Sequence, residues 1–140
     1  MSSVLSSAAG LPRLSKVLLV VGGLSLMAAT QLSAFGFHGL PKLATPQQVE
    51  SWHWATELQF HQSLGLVLLA LLAPRLGNPR LLTAAAAIMI LGLVLFCGTI
   101  YLNTLGIAPV GQFAPFGGGS FMLAWLLVAI AAFRAPRSAG

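Results

Sequence analysis

The residues best suited to chemistry in this chain crowd into one short stretch: His53, Glu57, Gln59, His61 and Gln62. His53, Glu57 and His61 follow i, i+4, i+8 spacing, which in a helix stacks imidazole, carboxylate and imidazole a turn apart on one face. Glu57 is one of only 2 acids in the chain. His38 lies a short way upstream, and Gln31 and Asn103 add amide groups. A Glu–His pair working near neutral pH makes a proton or ion relay. His38, His53, Glu57 and His61 together suit zinc or another borderline ion. One His could instead ligate haem or hydrogen-bond a quinone. The plainest alternative is a Glu–His pair that only satisfies polar groups near water. The metal is hardest to build, because His53 and His61 stand about 12 Å apart along a helix and cannot share one ion. No metal or other cofactor is assigned to these residues.

The elements that must position this cluster follow from composition. Of 140 residues, 57% are hydrophobic and 6% charged, and the mean hydropathy is +0.90. Soluble domains carry about 25% charged residues, so this chain cannot clothe a water-facing surface. The net charge of +5 comes from cations too few and scattered to track a phosphate backbone, which excludes nucleic acid as a partner. Helices need roughly 20 apolar residues to cross a bilayer core. Four stretches meet or approach that length: about 17–37, 54–73, 81–104 and 116–133. With the second opening at Trp54, His61 lies about 10 Å inside it, where ionisable groups are costly and face a bundle interior or watery cavity. The expected fold is an all-α, four-helix transmembrane bundle over 13–134, with tails at 1–12 (Ser/Ala/Gly-rich and mobile) and 135–140.

Charge sets the orientation. Arg13, Lys16, Arg75, Arg80, Arg134 and Arg137 fall at the N-terminus, in the Pro74–Arg80 turn or at the C-terminus, which four spans put on one side. Lys42 stands alone on the other. By the positive-inside rule both termini are cytoplasmic. The first apolar run is too long for a typical cleaved leader and reads as a span.

Close packing of small residues, not hydrophobicity, joins helices in lipid. Gly22, Ser25, Ala29, Ser33 and Gly36 make such a stripe on the first span. Gly65, Ala84–Ala87, Gly92 and Gly117–Gly119 are its candidate partners, and stripes on more than one helix would permit dimerisation. Trp52, Trp54 and Tyr101 map to the non-cytoplasmic boundary as an interfacial belt, whereas Trp125 lies mid-span. Pro41 and Pro46 are expected to break the first outer loop. Cys97 reads as a small apolar packing residue. Pro115–Gly119 is glycine-rich, but no Lys/Ser pair follows it and no strand precedes it, so it suggests a backbone bend before the fourth span and not a phosphate loop.

Three motifs carry a family resemblance. Leu32-Ser-Ala-Phe-Gly-Phe-His38-Gly-Leu40 resembles the signature GAFGAHGL of the YgdD-like small membrane proteins, a domain of unknown function. Leu95–Tyr101, and Ala108 through Ser120 to Ala124–Leu127, resemble the second half of that family. The resemblance implies a four-helix integral membrane protein, in bacteria of the inner membrane, and brings no reaction with it. Where the family carries YQ…YHALALL, Gln59 matches the Gln, Gln62 stands in the place of the His, and His61 comes one residue early. His38 carries over residue for residue; His61, turned by about 100°, does not.

These readings favour a structural or accessory membrane component without catalytic activity, associated with the bilayer and with a second copy or a larger membrane complex. The runner-up is a small transporter or proton-coupled carrier using His38, Glu57 and His61. No nucleophile–base pair can be placed for an enzyme. The charge distribution makes a direct prediction: a reporter fused after Gly140 is active only in the cytoplasm, and Lys42→Cys is labelled by an impermeant thiol reagent only from outside. Labelling of that cysteine from the cytoplasmic side would overturn the four-span orientation.

Overall fold

The computed structural model describes residues 10–138. It is helical, with no strand among the described residues. Four helices are long and apolar enough to cross a membrane: Arg13–His38, Pro46–Leu76, Pro79–Thr104 and the stretch Gly111–Phe133. Most of the expected 1–12 tail, and the last two residues of the C-terminal one, lie outside the described residues.

Local chemistry fixes the helix ends. The second helix begins at Pro46, 8 residues before the apolar run at Trp54. Thr45 and Gln48 form a capping box: the Gln48 amide N–H donates to Thr45 Oγ1 (3.3 Å), and the Thr45 N–H donates to Gln48 Oε1 (2.9 Å). Pro46 therefore opens this helix at a position where its missing N–H costs nothing, instead of breaking a loop. What remains of the outer connection is a 3-10 turn, Leu40–Lys42, and a few residues around it. At the other end Pro74 stays inside the last turns, and the helix stops at Leu76, where Gly77 takes φ 65°. Asn78 then caps the third helix, its side chain accepting from the Leu81 N–H. The expected Pro74–Arg80 turn is thus only Gly77 and Asn78.

The third span is not uniform. It is α-helical over Pro79–Gly92 and Thr99–Thr104, with a π-helical stretch, Leu93–Gly98, between them. Gly106, with φ 69°, turns the chain outward after it. The fourth helix, Ala114–Phe133, follows a 3-10 turn at Gly111–Phe113.

The first helix packs along the second and the third along the fourth. The small-residue stripe of the first helix meets the second, not the glycines expected as its partners. A Cβ on Gly22 would lie 2.9 Å from Val67 Cγ2, and one on Gly36 would lie 2.6 Å from Trp52 Cδ1. Gly65 instead admits Trp125 of the fourth helix, with 2.6 Å between its would-be Cβ and Cζ2. Gly92 receives Phe121, also of the fourth. The glycine run Pro115–Gly119 lies within the fourth helix, not ahead of it. Gly117 faces the backbone of Phe96 inside the π-helical stretch, so closely that a Cβ would overlap its amide nitrogen.

Antiparallel packing gathers six cations at one end. Arg13 and Lys16 open the first helix there, Arg75 and Arg80 flank the Gly77–Asn78 turn, and the chain after Phe133 returns to bring Pro136 against Gly77. An apolar core fills that half, with Leu18, Leu66, Leu69, Leu82 and Ala131 contributed by all four helices.

Adjacent glycines test this packing. Gly117→Ala should lower thermal stability in detergent by about 1–3 kcal/mol, through overlap with the third span. Gly118→Ala, with nothing within 4 Å of its Cβ, should be neutral or stabilising by up to ~1 kcal/mol. Equal effects at both positions would contradict the close approach.

Candidate functional site

The second helix divides the polar cluster between two faces. Trp52, Ala55, Gln59, Gln62, Ser63 and Leu66 point inward and are buried. Residues at 53, 57 and 61 share a face, as their spacing requires, but it is the outer one: Glu57 and His61 are exposed and His53 is half-buried. These three line a cleft of about 290 Å³ between the first and second helices, with Ser33, Phe37, Thr56 and Phe60. The His53 ring stacks on Phe37 with centroids 4.2 Å apart, and its Nδ1 is buried without a hydrogen-bond partner. His38 is exposed at the end of the first helix and is not part of this cleft. Among the described residues no three His, Cys, Asp or Glu side chains come together to hold a metal ion. Gln31 is exposed, and Asn103 lies against Gly111 in a different cleft at the outer end.

A polar layer that spacing did not reveal crosses the bundle instead. Gln59 is its centre. Its Nε2 donates to the Ser25 carbonyl (3.0 Å) and to Ser25 Oγ (3.3 Å), while its Oε1 accepts from the Tyr101 hydroxyl (2.7 Å). Ser63 Oγ donates to Ser25 Oγ at 2.6 Å. One amide thus binds the first, second and third helices. Three residues on, Gln62 Oε1 accepts from Trp125 Nε1 at 2.8 Å and adds the fourth. Gln62 and His61 therefore differ as a one-residue turn of helix demands: Gln62 is buried and bonded, His61 faces out. Ser25 is both a packing residue and a ligand of this layer. A cleft of about 250 Å³ beside it, between the first and third helices, is bordered by Ser25, Gln59, Cys97 and Tyr101.

Two residues expected in an interfacial belt are structural. Trp52 is 0% exposed; it lies across Gly36, and its Nε1 donates to the Leu32 carbonyl at 2.8 Å. The Tyr101 ring packs at a tilt against Trp52, centroids 4.5 Å apart, while its hydroxyl bonds Gln59. Trp54 does face outward. Cys97 is buried, its thiol donating to the Ala55 carbonyl at 3.2 Å. An aromatic one helical position from an exposed one can lie wholly inside, and depth along a span does not distinguish them. The only sequence signal for the inner layer is the pairing of two amides, Gln59 and Gln62, with serine on the same helix, at 59, 62 and 63.

The polar layer carries a stability prediction. Gln59→Leu leaves the Tyr101 hydroxyl and Ser25 groups without their partner and should cost about 1–3 kcal/mol. His61→Leu, on the outer face, should cost far less. Detergent melting curves in which His61→Leu is the more damaging would overturn the assignment of inside and outside.

Comparison with known proteins finds relatives named as membrane proteins. Residues 32–118 match the family described as Protein of unknown function (DUF423). The UPF0382 membrane protein YwdK of Bacillus subtilis is 32% identical over 120 residues, covering 85% of this chain and 98% of the relative. A UPF0382 membrane protein of Staphylococcus epidermidis is 31% identical over 121 residues, covering 85% of this chain and 97% of that protein. No solved structure matches. The order of motifs from His38 to the fourth helix, the four spanning helices and this similarity along most of the chain together make it a membrane protein of the DUF423 family.

Proposed function

We propose that this protein is a structural or accessory component of the cell inner (plasma) membrane, with both termini cytoplasmic and no catalytic or transport activity of its own. The observation that carries the reading is the use to which the interior polar groups are put. The Gln59 amide spends both its donor and its acceptor on holding three helices together. Gln62 is bonded to Trp125. A relay needs groups that exchange protons and partners along a path. Here Glu57 and His61 stand exposed on the second helix with His53 half-buried beside them, His38 ends the first helix, and the interior layer holds amides, hydroxyls and an indole. The orientation rests on the six cations gathered at one end.

The carrier reading has one observation in its favour: His53, Glu57 and His61 do share a cleft. Reconstitution separates the two. In liposomes under a pH gradient, the protein should pass no protons above the protein-free baseline, and Glu57→Gln should change nothing. A pH-dependent flux abolished by Glu57→Gln would establish the carrier instead.

A further inference from the structure

The outer face of the second helix has a regularity that neither its fold nor its polar layer uses. Trp54, Glu57, His61, Leu64, Leu68 and Leu71 recur at intervals of 3, 4, 3, 4 and 3, and every one is exposed. Leu64, Leu68 and Leu71 are 50%, 52% and 57% exposed. Helices that pair side by side in left-handed fashion present such a 3.5-residue seam to each other. Its polar members stand within the apolar span. Gln59 on the same turn is level with Ser25, and Ser25 lies 9 residues from Lys16 in a helix ending at His38. Among the described residues Glu57 and His61 have no hydrogen-bond or ion-pair partner, and lipid tails offer none.

We propose that this seam is the interface with a second copy of the chain, paired about a two-fold axis along the membrane normal. The seam is self-complementary in charge and hydrogen bonding. All copies in one membrane share a topology, so their second helices meet in parallel. In that packing a residue of the seam sits in a hole lined by the partner's residues at its own level and one layer away. Each Glu57 carboxylate then reaches the imidazole N–H of His61 in the other copy, and the reverse contact repeats it. A polar rung flanked by Trp54 on one side and leucines on the other fixes register and pairing, as single polar seam residues do elsewhere. Small-residue stripes do not serve this purpose here: Gly22 and Gly36 are already covered by the second helix, and Gly92 and Gly117 lie between the third and fourth.

The test is cross-linking of the full chain in native membranes. In a Cys97→Ser background, Leu64→Cys and Leu68→Cys should give a covalent dimer on mild oxidation, and Met122→Cys, exposed on the fourth helix, should not. Glu57→Leu combined with His61→Leu should weaken dimerisation in detergent by about tenfold or more, the loss expected for polar contacts between membrane helices, while the circular dichroism spectrum stays helical. Three results would overturn the interface: no dimer through 64 or 68, equal yields at 64 and 122, or undiminished dimerisation of the double variant. Native mass spectra showing one copy carrying phospholipid instead of two copies would do the same.

Discussion

Everything in this structure depends on the rule that a polar group inside a lipid-embedded bundle must find its partner in the protein. The Gln59 side chain meets that rule by reaching three ways at once, to the Ser25 carbonyl and hydroxyl and to the Tyr101 hydroxyl. Those bonds set the rotation of the first and third helices about the second. Once Gln59 points inward, Trp52 is carried across Gly36, Gln62 across to Trp125, and the 53–57–61 face outward. The same rule is obeyed one residue at a time elsewhere. Thr99 returns its hydroxyl to the Leu95 carbonyl, and the Cys97 thiol occupies the Ala55 carbonyl.

Close approach is the second requirement, and the helices achieve it by different means. The first and second are brought together by an exchange of sizes, in which glycine and serine on one receive tryptophan, valine and glutamine from the other. The third and fourth use glycine on both sides, Gly92 for Phe121 and Gly117 for the backbone of Phe96. The Phe96 contact falls in the π-helical stretch Leu93–Gly98, where one wider turn re-aims the residues beyond it. Beyond it stand Thr99 and Tyr101, so the bulge and the polar layer are neighbours along the chain. At the cationic end Leu18, Leu66, Leu82 and Met89 interdigitate, with Gly22 admitting Leu66 and Val67.

This division gives the molecule an asymmetric long axis. The half nearer the cations holds the apolar core, and the half nearer the Leu40–Lys42 turn carries the amides, hydroxyls and indoles. Membrane helices gain little from burying leucine against leucine, since lipid is equally apolar. Directional bonds at one level therefore define the bundle's geometry, and the apolar half follows it. The outward Glu57 and His61 stand outside the rule of internal satisfaction, as do the buried Ser15 Oγ and His53 Nδ1, which have no hydrogen-bond partner. The position of Glu57 and His61 on a regular seam with Leu64, Leu68 and Leu71 is what makes that face a surface of interest.

The number of spans, their approximate limits and the gathering of cations at one end were legible in the sequence, because these depend on hydropathy and charge summed along a segment. The sequence also placed His53, Glu57 and His61 on one face, because helical periodicity is local. Helix starts such as Pro46 were less legible: the capping box at Thr45 and Gln48 is polar and lies outside the apolar run. Which face of the second helix looks inward was decided only by tertiary structure. A rotation of about 100° separates Gln62 from His61, and the amides and serine at 59, 62 and 63 are too weak a signal within that helix to choose amide-inside over imidazole-inside. The choice rests on Ser25, Tyr101 and Trp125, which lie 34, 42 and 63 residues away from their partners in the chain.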